Sequence, residues 1–131
     1  MSSAASPVND IARVIRALDM AFMEHANAKD AAAVTEVFYA EDAQLLAPNV
    51  PMVRGKEAIR AFWEGMLPAG AGDLSLDTRD VYASGDLAYA TGKYSVTIGG
   101  EKVDGKYAIV YRRQEDGGYK VVVDAFSADA A

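Results

Sequence analysis

Pro48-Asn49-Val50-Pro51-Met52-Val53-Arg54-Gly55-Lys56-Glu57-Ala58-Ile59-Arg60-Ala61-Phe62-Trp63-Glu64-Gly65-Met66-Leu67 divides the chain into two parts of different periodicity. Its two prolines fix φ and remove backbone donors, so no regular element begins there. From Gly55 onward the apolar residues Ile59, Phe62, Trp63, Met66 and Leu67 recur at helical spacing, which predicts one buried helical stripe. Pro68, Gly70 and Gly72 then stop the helix. Helical periodicity precedes this stretch and two-residue periodicity follows it. The chain therefore changes from helices to sheet here.

Upstream, Met1 to Ala5 are expected to fray, and Ser6-Pro7 is a helix start, with serine as cap and proline at the first position. Ile11, Ile15, Leu18 and Phe22 form the stripe of that helix, with His25 one turn on. Asn27-Ala28-Lys29 interrupts it, and Asp30 caps a short second helix whose Ala33, Val34, Val37 and Phe38 face inward. A short strand follows from Ala43 to Ala47. Downstream, Leu74, Leu76 and Thr78 alternate with polar residues up to a Ser84-Gly85-Asp86 turn. Leu87 to Ile98 would reach about 40 Å as a flat strand at about 3.3 Å per residue, so a bend or bulge is expected near Gly92. Gly99-Gly100 and Glu115-Asp116-Gly117-Gly118 turn the chain, and Lys106–Arg113 and Tyr119–Phe126 are the last strands. The expected fold is α+β: three N-terminal helices on one face of a strongly curved, mostly antiparallel sheet, in a single domain spanning 1–131. Such a wrap leaves a cavity at its open end.

Composition narrows the function. With 51% hydrophobic and 24% charged residues the chain is an ordinary globular one. A net charge of −6 argues against a nucleic-acid or anionic-membrane partner, since both need a basic face. The absence of cysteine removes thiolate catalysis and disulfides and fits a reducing compartment. With a single histidine besides, no zinc site is expected. No apolar run approaches the roughly 18 residues of a membrane span, and no signal segment is legible. A cytoplasmic protein without a metal or cofactor is the expectation.

Phe38-Tyr39-Ala40-Glu41-Asp42-Ala43, the proline stretch, Gly55 through Phe62, Gly105-Lys106-Tyr107 through Arg113, and Asp116-Gly117-Gly118-Tyr119-Lys120 together resemble the cone-shaped superfamily of nuclear transport factor 2, ketosteroid isomerase and the SnoaL-type polyketide cyclases. The likeness spans nearly the whole chain. It implies the cone fold and a homodimer, but not one activity, because the superfamily hosts many chemistries. Ketosteroid isomerases use an aspartate base with a tyrosine and a protonated aspartate as oxyanion donors. The resemblance places Ala47 at the base and Phe22 at the tyrosine, and puts the second donor at or near Tyr111. Steroid isomerase activity of that design is therefore not expected.

Pocket walls are expected at Phe22, His25, Phe62, Trp63, Tyr94, Tyr107 and Phe126, and the resemblance puts Phe62 and Asp124 at lining positions. Asp124 also stands out unaided, as a carboxylate in the apolar run Val121-Val122-Val123-Asp124-Ala125-Phe126. Burial would raise its pKa toward the range useful to a general base or acid. A structural hydrogen bond and a solvated outward position are the other readings. Val122, Asp124 and Phe126 share one strand face, and Tyr107, Ile109 and Tyr111 share another. A two-residue hairpin loop would then set Tyr107 or Tyr111 opposite Asp124. His25 reads either as a proton carrier at the cavity mouth or as a histidine at a helix end. Three functions follow: an acid–base isomerase, dehydratase or cyclase with Asp124 and Tyr111 as catalytic pair, a non-catalytic pocket for an apolar small molecule, or an interaction module. A homodimer is expected on physical grounds too, because helices cover only one face of the sheet.

Overall fold

In the computed structural model, which describes residues 7–67 and 72–130, local signals place the helices where their periodicity predicts. Helix α1 (Pro7–Asn27) buries Ile11, Ile15, Phe22 and Ala26 along one stripe, with Leu18 packed at its margin. Lys29 takes φ 62° and turns the chain. Asp30 then accepts the Ala33 amide at 3.1 Å and caps α2 (Ala31–Phe38), satisfying one orphan donor of the first turn. Buried on α2 are Ala31, Val34, Thr35 and Phe38. Helix α3 (Lys56–Met66) starts from Gly55 and buries Ile59 and Trp63, leaving Phe62 and Met66 half-buried. The Ser6 cap, the frayed start at 1–5 and the stop at Pro68 and Gly70 lie outside the described residues.

Six strands form one sheet: β1 (Tyr39–Leu46), β2 (Val53–Arg54), β3 (Gly72–Ser84), β4 (Leu87–Ile98), β5 (Glu101–Arg113) and β6 (Tyr119–Ala128), in the order β2-β1-β6-β5-β4-β3. Every pairing is antiparallel except β1 with β6, where Leu45 lies beside Asp124 in parallel register. Strand β1 begins at Tyr39, directly after α2, earlier than the expected Ala43. The three helices pack on one face of the curved sheet. The core between them holds Ile15, Val34, Phe38, Tyr39, Leu45, Ile59, Tyr111 and Val121, all fully buried.

Two irregularities shape the sheet. On β3, Thr78 pairs with Gly92 and Asp80 with Thr91, so Arg79 is an extra residue. The expected kink near Gly92 is thus made by the strand opposite it. On β6, Tyr111 pairs with Val121 but Val110 with Val123, which leaves Val122 as a bulge. Extra residues of this kind bend a strand and re-aim its side chains. Val121, not the expected Val122, is therefore buried on the same face as Asp124. The β5–β6 loop also holds more than the two residues considered above, since Arg113 pairs with Tyr119.

Glycines on the concave face make room for rings. A Cβ on Gly92 would meet the Asp77 carbonyl oxygen and would lie 2.6 Å from the Tyr107 hydroxyl. One on Gly105 would meet the ring of Tyr94. Gly92 pairs with Tyr107 and Tyr94 with Gly105, so each tyrosine covers the glycine across from it. Gly92→Ala should cost about 1–3 kcal/mol by overpacking. Gly65→Ala, on the exposed side of α3 with nothing near its Cβ, should instead gain about 0.4–1 kcal/mol. Urea denaturation of the two variants beside wild type would show these opposite signs.

Candidate functional site

Between α1, α3 and the concave face of β3–β6 lies a cavity of about 170 Å³. Its wall is largely apolar, built from residues such as Phe22, Trp63, Leu74, Leu76, Val96 and Phe126. The few polar side chains in it include Tyr94, Tyr107 and Asp124, with Asn27 hydrogen-bonded to the Leu74 backbone. A concave, largely apolar space with few polar groups is the usual form of a small-molecule site.

Asp124 owes its place to the β6 bulge, which sets it between Ile109 on β5 and Leu45 on β1. It is 5% exposed. Its Oδ2 accepts a 2.6 Å hydrogen bond from the Tyr39 hydroxyl, whose oxygen accepts one from Trp63 Nε1 at 3.2 Å. A chain of donors thus runs from α3 through β1 to β6. Burial pushes the Asp124 carboxyl up to about 6; the Tyr39 bond opposes this rise, and the charge of Asp19 adds to it. Burial, with the neighbouring Asp124 charge, holds Tyr39 well above the ordinary phenol range. Tyr39 therefore remains a donor.

A second polar cluster lies under β3. Asp19, on the α1 stripe between Ile15 and Phe22, is 4% exposed. Its Oδ2 accepts from Thr78 Oγ1 at 2.6 Å, and Thr78 Oγ1 shares a 2.7 Å hydrogen bond with the Tyr107 hydroxyl. Burial raises Asp19 to about 6, against the lowering effects of the Thr78 bond and of Arg16. Burial also raises Tyr107 and Tyr111. Asp19 Oδ1 and the Tyr111 hydroxyl are buried and have no hydrogen-bond partner among the described residues.

Phe22, Trp63, Tyr94, Tyr107, Phe126 and Asp124 meet at the cavity, whereas Phe62, His25 and Tyr111 do not line it. Phe62 precedes Trp63 by one residue, about 100° around the helix. It packs edge-on against Trp63 from the far side, with centroids 5.1 Å apart. On α1, the cavity-facing positions of the last turns belong to Phe22 and Ala26, so the half-buried His25 points elsewhere. Tyr111 is fully buried against Phe38, in the core rather than at the cavity. The expected Tyr107 or Tyr111 partner of Asp124 is replaced by Tyr39. The bulge sets Ile109 opposite Asp124, and the hairpin argument overlooked the parallel neighbour β1.

Tyr39 and Asp19 are the residues that sequence reasoning missed. A bond between positions 85 apart leaves no local mark. Asp19 did leave one: it falls at i+4 from Ile15 and i−3 from Phe22, inside an apolar stripe. Among the described residues no group of three or more histidine and carboxylate side chains could hold a metal ion. Nor is any described helix long and apolar enough to cross a membrane.

The raised Asp124 pKa has a definite consequence for stability. Near pH 5 the folded protein holds a proton on Asp124 that the unfolded chain, with an aspartate pKa of about 3.9, has released. The Asp124 contribution is therefore most favourable below about pH 4, is lost as pH rises to about 6, and is level above that. Asp124→Asn removes this slope. Its stability relative to wild type should climb by roughly 2–3 kcal/mol between about pH 4 and pH 7, measured by urea denaturation at each pH. A pH-independent difference would show that Asp124 titrates normally.

Residues 20–122 match the family model of the SnoaL-like domain. A ketosteroid isomerase-like protein from Erwinia carotovora atroseptica SCRI1043 superposes with a TM-score of 0.80 at 21% identity, over 94% of this chain and 99% of that one. An NTF2-like protein with a cystatin-like fold from Novosphingobium aromaticivorans gives 0.75 at 21% identity, over 98% and 94%. A candidate dehydratase of the NTF2-like family from Streptomyces avermitilis gives 0.77 at 15% identity, over 95% and 99%. No curated protein matches the sequence. At these identities the solved structures speak to the fold. A family match over most of the chain makes this protein a member of the SnoaL-like domain family, and its three helices on a curved six-stranded sheet give it the fold of the NTF2-like structures.

Proposed function

We propose that the cavity takes up a small apolar molecule bearing one oxygen function, and that Asp124 moves a proton on it, in an isomerase-, dehydratase- or cyclase-type reaction. The observation carrying this reading is a buried carboxyl with a pKa near 6, held by Tyr39 at the wall of an otherwise apolar cavity. Such a group accepts and returns protons near neutral pH. An apolar cavity of about 150 Å³ admits benzene, so a space of about 170 Å³ suits a one-ring compound.

Tyr39 holds Oδ2 and leaves the other carboxylate oxygen for the ligand. As a base, Asp124 would take a proton from the carbon next to a carbonyl. It would then return that proton to another carbon, or to a departing hydroxyl as water. Tyr107 also lines the cavity with its hydroxyl bonded to Thr78 Oγ1, and its proton can turn to a ligand carbonyl oxygen only when Thr78 no longer takes it. Ala47 and Phe22 offer neither a base nor a hydroxyl, so the steroid isomerase reaction is outside this proposal. The second reading is a non-catalytic pocket, favoured by the Trp63–Tyr39–Asp124 hydrogen-bond chain, which suits a purely structural carboxyl equally well.

A homodimer accompanies either reading. Tyr82, Leu87 and Tyr89 are each about half exposed on the side of the sheet away from the helices, and the Tyr82 and Tyr89 rings lie 5.0 Å apart. Apolar sheet surface of this kind is commonly covered by a partner.

Cyclohex-3-enone tests the catalytic reading. It should shift the Trp63 indole N–H resonance on binding and exchange its α-protons for deuterium faster with protein present, at a rate rising through about pH 6. Asp124→Asn should lower that rate by about a hundredfold or more. Binding without accelerated exchange would leave the non-catalytic pocket, and absence of both would overturn the small-molecule reading.

A further inference from the structure

Asp19 is buried on α1, far in sequence from Asp124, and the acid–base chemistry above does not use it. It lines a surface cleft of about 270 Å³ together with Arg16, Asp77, Thr78 and Arg79. On its inner side the hydrogen bonds Asp19–Thr78–Tyr107 lead to a residue that lines the cavity. We infer that Asp19, Thr78 and Tyr107 form a proton relay between the surface cleft and the cavity, in which the protonation state of Asp19 sets whether Tyr107 accepts or donates a hydrogen bond toward the ligand.

Thr78 Oγ1 has one proton and two neighbours, Asp19 Oδ2 at 2.6 Å and the Tyr107 hydroxyl at 2.7 Å. When Asp19 is a carboxylate it can only accept, so Thr78 must donate to it. Tyr107 must then donate to Thr78, turning its proton away from the cavity and leaving only a lone pair for a ligand. When Asp19 is protonated the chain can reverse. Asp19 donates to Thr78, Thr78 donates to Tyr107, and the Tyr107 proton is released to the cavity. Two short bonds sharing one rotatable hydroxyl are what such a reversal requires.

A transfer along the chain balances as written. Tyr107 gives its proton to a ligand oxygen, Thr78 gives its own to Tyr107, and Asp19 gives its own to Thr78. One O–H bond forms on the ligand, one is lost on Asp19, and Asp19 is left as a carboxylate. Water at the cleft reloads it. The groups facing Asp19 are Arg16 from its own helix, Asp77 and Arg79 from β3, Tyr107 and Tyr111 from β5, and Asp124 from β6. Burial, more than any of these charges, brings Asp19 to about 6, so the reversal falls near neutral pH.

The inference rests on the cavity being a small-molecule site, but its test does not require turnover. Protein labelled with ¹³C at the aspartate carboxyl and tyrosine Cζ positions is titrated in the Asp124→Asn background, which removes the other buried acid. The Tyr107 Cζ resonance should move with the same midpoint as the Asp19 carboxyl. Thr78→Val should leave Asp19 titrating and Tyr107 still, and Thr78→Ser should restore the movement. Affinity for cyclohexanone, an acceptor only, should rise roughly fivefold from about pH 8 to pH 5 and lose that dependence with Thr78→Val. Methylcyclohexane should bind equally at both pH values. A Tyr107 resonance that stays still while Asp19 titrates would overturn the relay before any Thr78 variant is made, as would one that still moves in Thr78→Val. Accelerated exchange without this linkage would sink the relay alone, whereas linkage without exchange would sink only the catalytic reading.

Discussion

The hydrogen bond from Tyr39 to Asp124 closes the sheet at its one parallel joint. Strands β1 and β6 carry side chains into the core from opposite ends of the sequence, and Trp63 of α3 braces the tyrosine from the helix layer. A carboxyl placed here without a donor would impose the full cost of a buried, unsatisfied acceptor. With the donor it is tolerated, and its proton affinity remains raised. Position and chemistry therefore have a common cause. The same burial that makes Asp124 awkward for the fold makes it useful to the cavity.

The cavity itself depends on what the sheet leaves out. A concave face lined throughout with large residues would fill the space beneath it. Gly92 and Gly105 allow Tyr107 and Tyr94 to lie across their partner strands. With the extra residue Arg79, they bend the strands around an opening that the helices do not fill. The two buried acids reach this region from different directions. Asp124 is at the wall, and Asp19 is behind Tyr107. Burial, with the charges of both acids adding to it, keeps the tyrosines between them protonated.

Much of this was legible from the chain alone, and the limits were physical ones. Helix stripes such as Ile59–Trp63 and Ile11–Ile15–Phe22 are local, as are the Asp30 cap and the hairpin glycines, and local interactions write themselves into short spacings. The inward face of Asp124 was legible because four apolar neighbours surround it in the strand. Its partner was not, since pairing across the parallel joint depends on topology rather than on spacing. The bulge at Val122 was equally hidden, because a run of three valines looks the same with or without a displaced member. Phe62 shows the reverse error. It belongs to an apolar stripe, but only Trp63 on that turn reaches the cavity.

The position of β1 also bears on how the protein is made. The strand that receives Asp124 leaves the ribosome before the β3–β5 meander, while the strand that carries it follows all the other described elements. Until residues near 124 emerge, β1 has only the two-residue strand β2 beside it, and Tyr39 has no acceptor. The helices and the β3–β5 meander can form from neighbouring segments during synthesis, because contacts of short sequence separation close first. The site cannot. The Tyr39–Asp124 pair therefore forms only after β6 has emerged, and a chain truncated before β6 would keep most of its secondary structure and the residues of the Asp19 cluster but lose the carboxyl at the cavity wall.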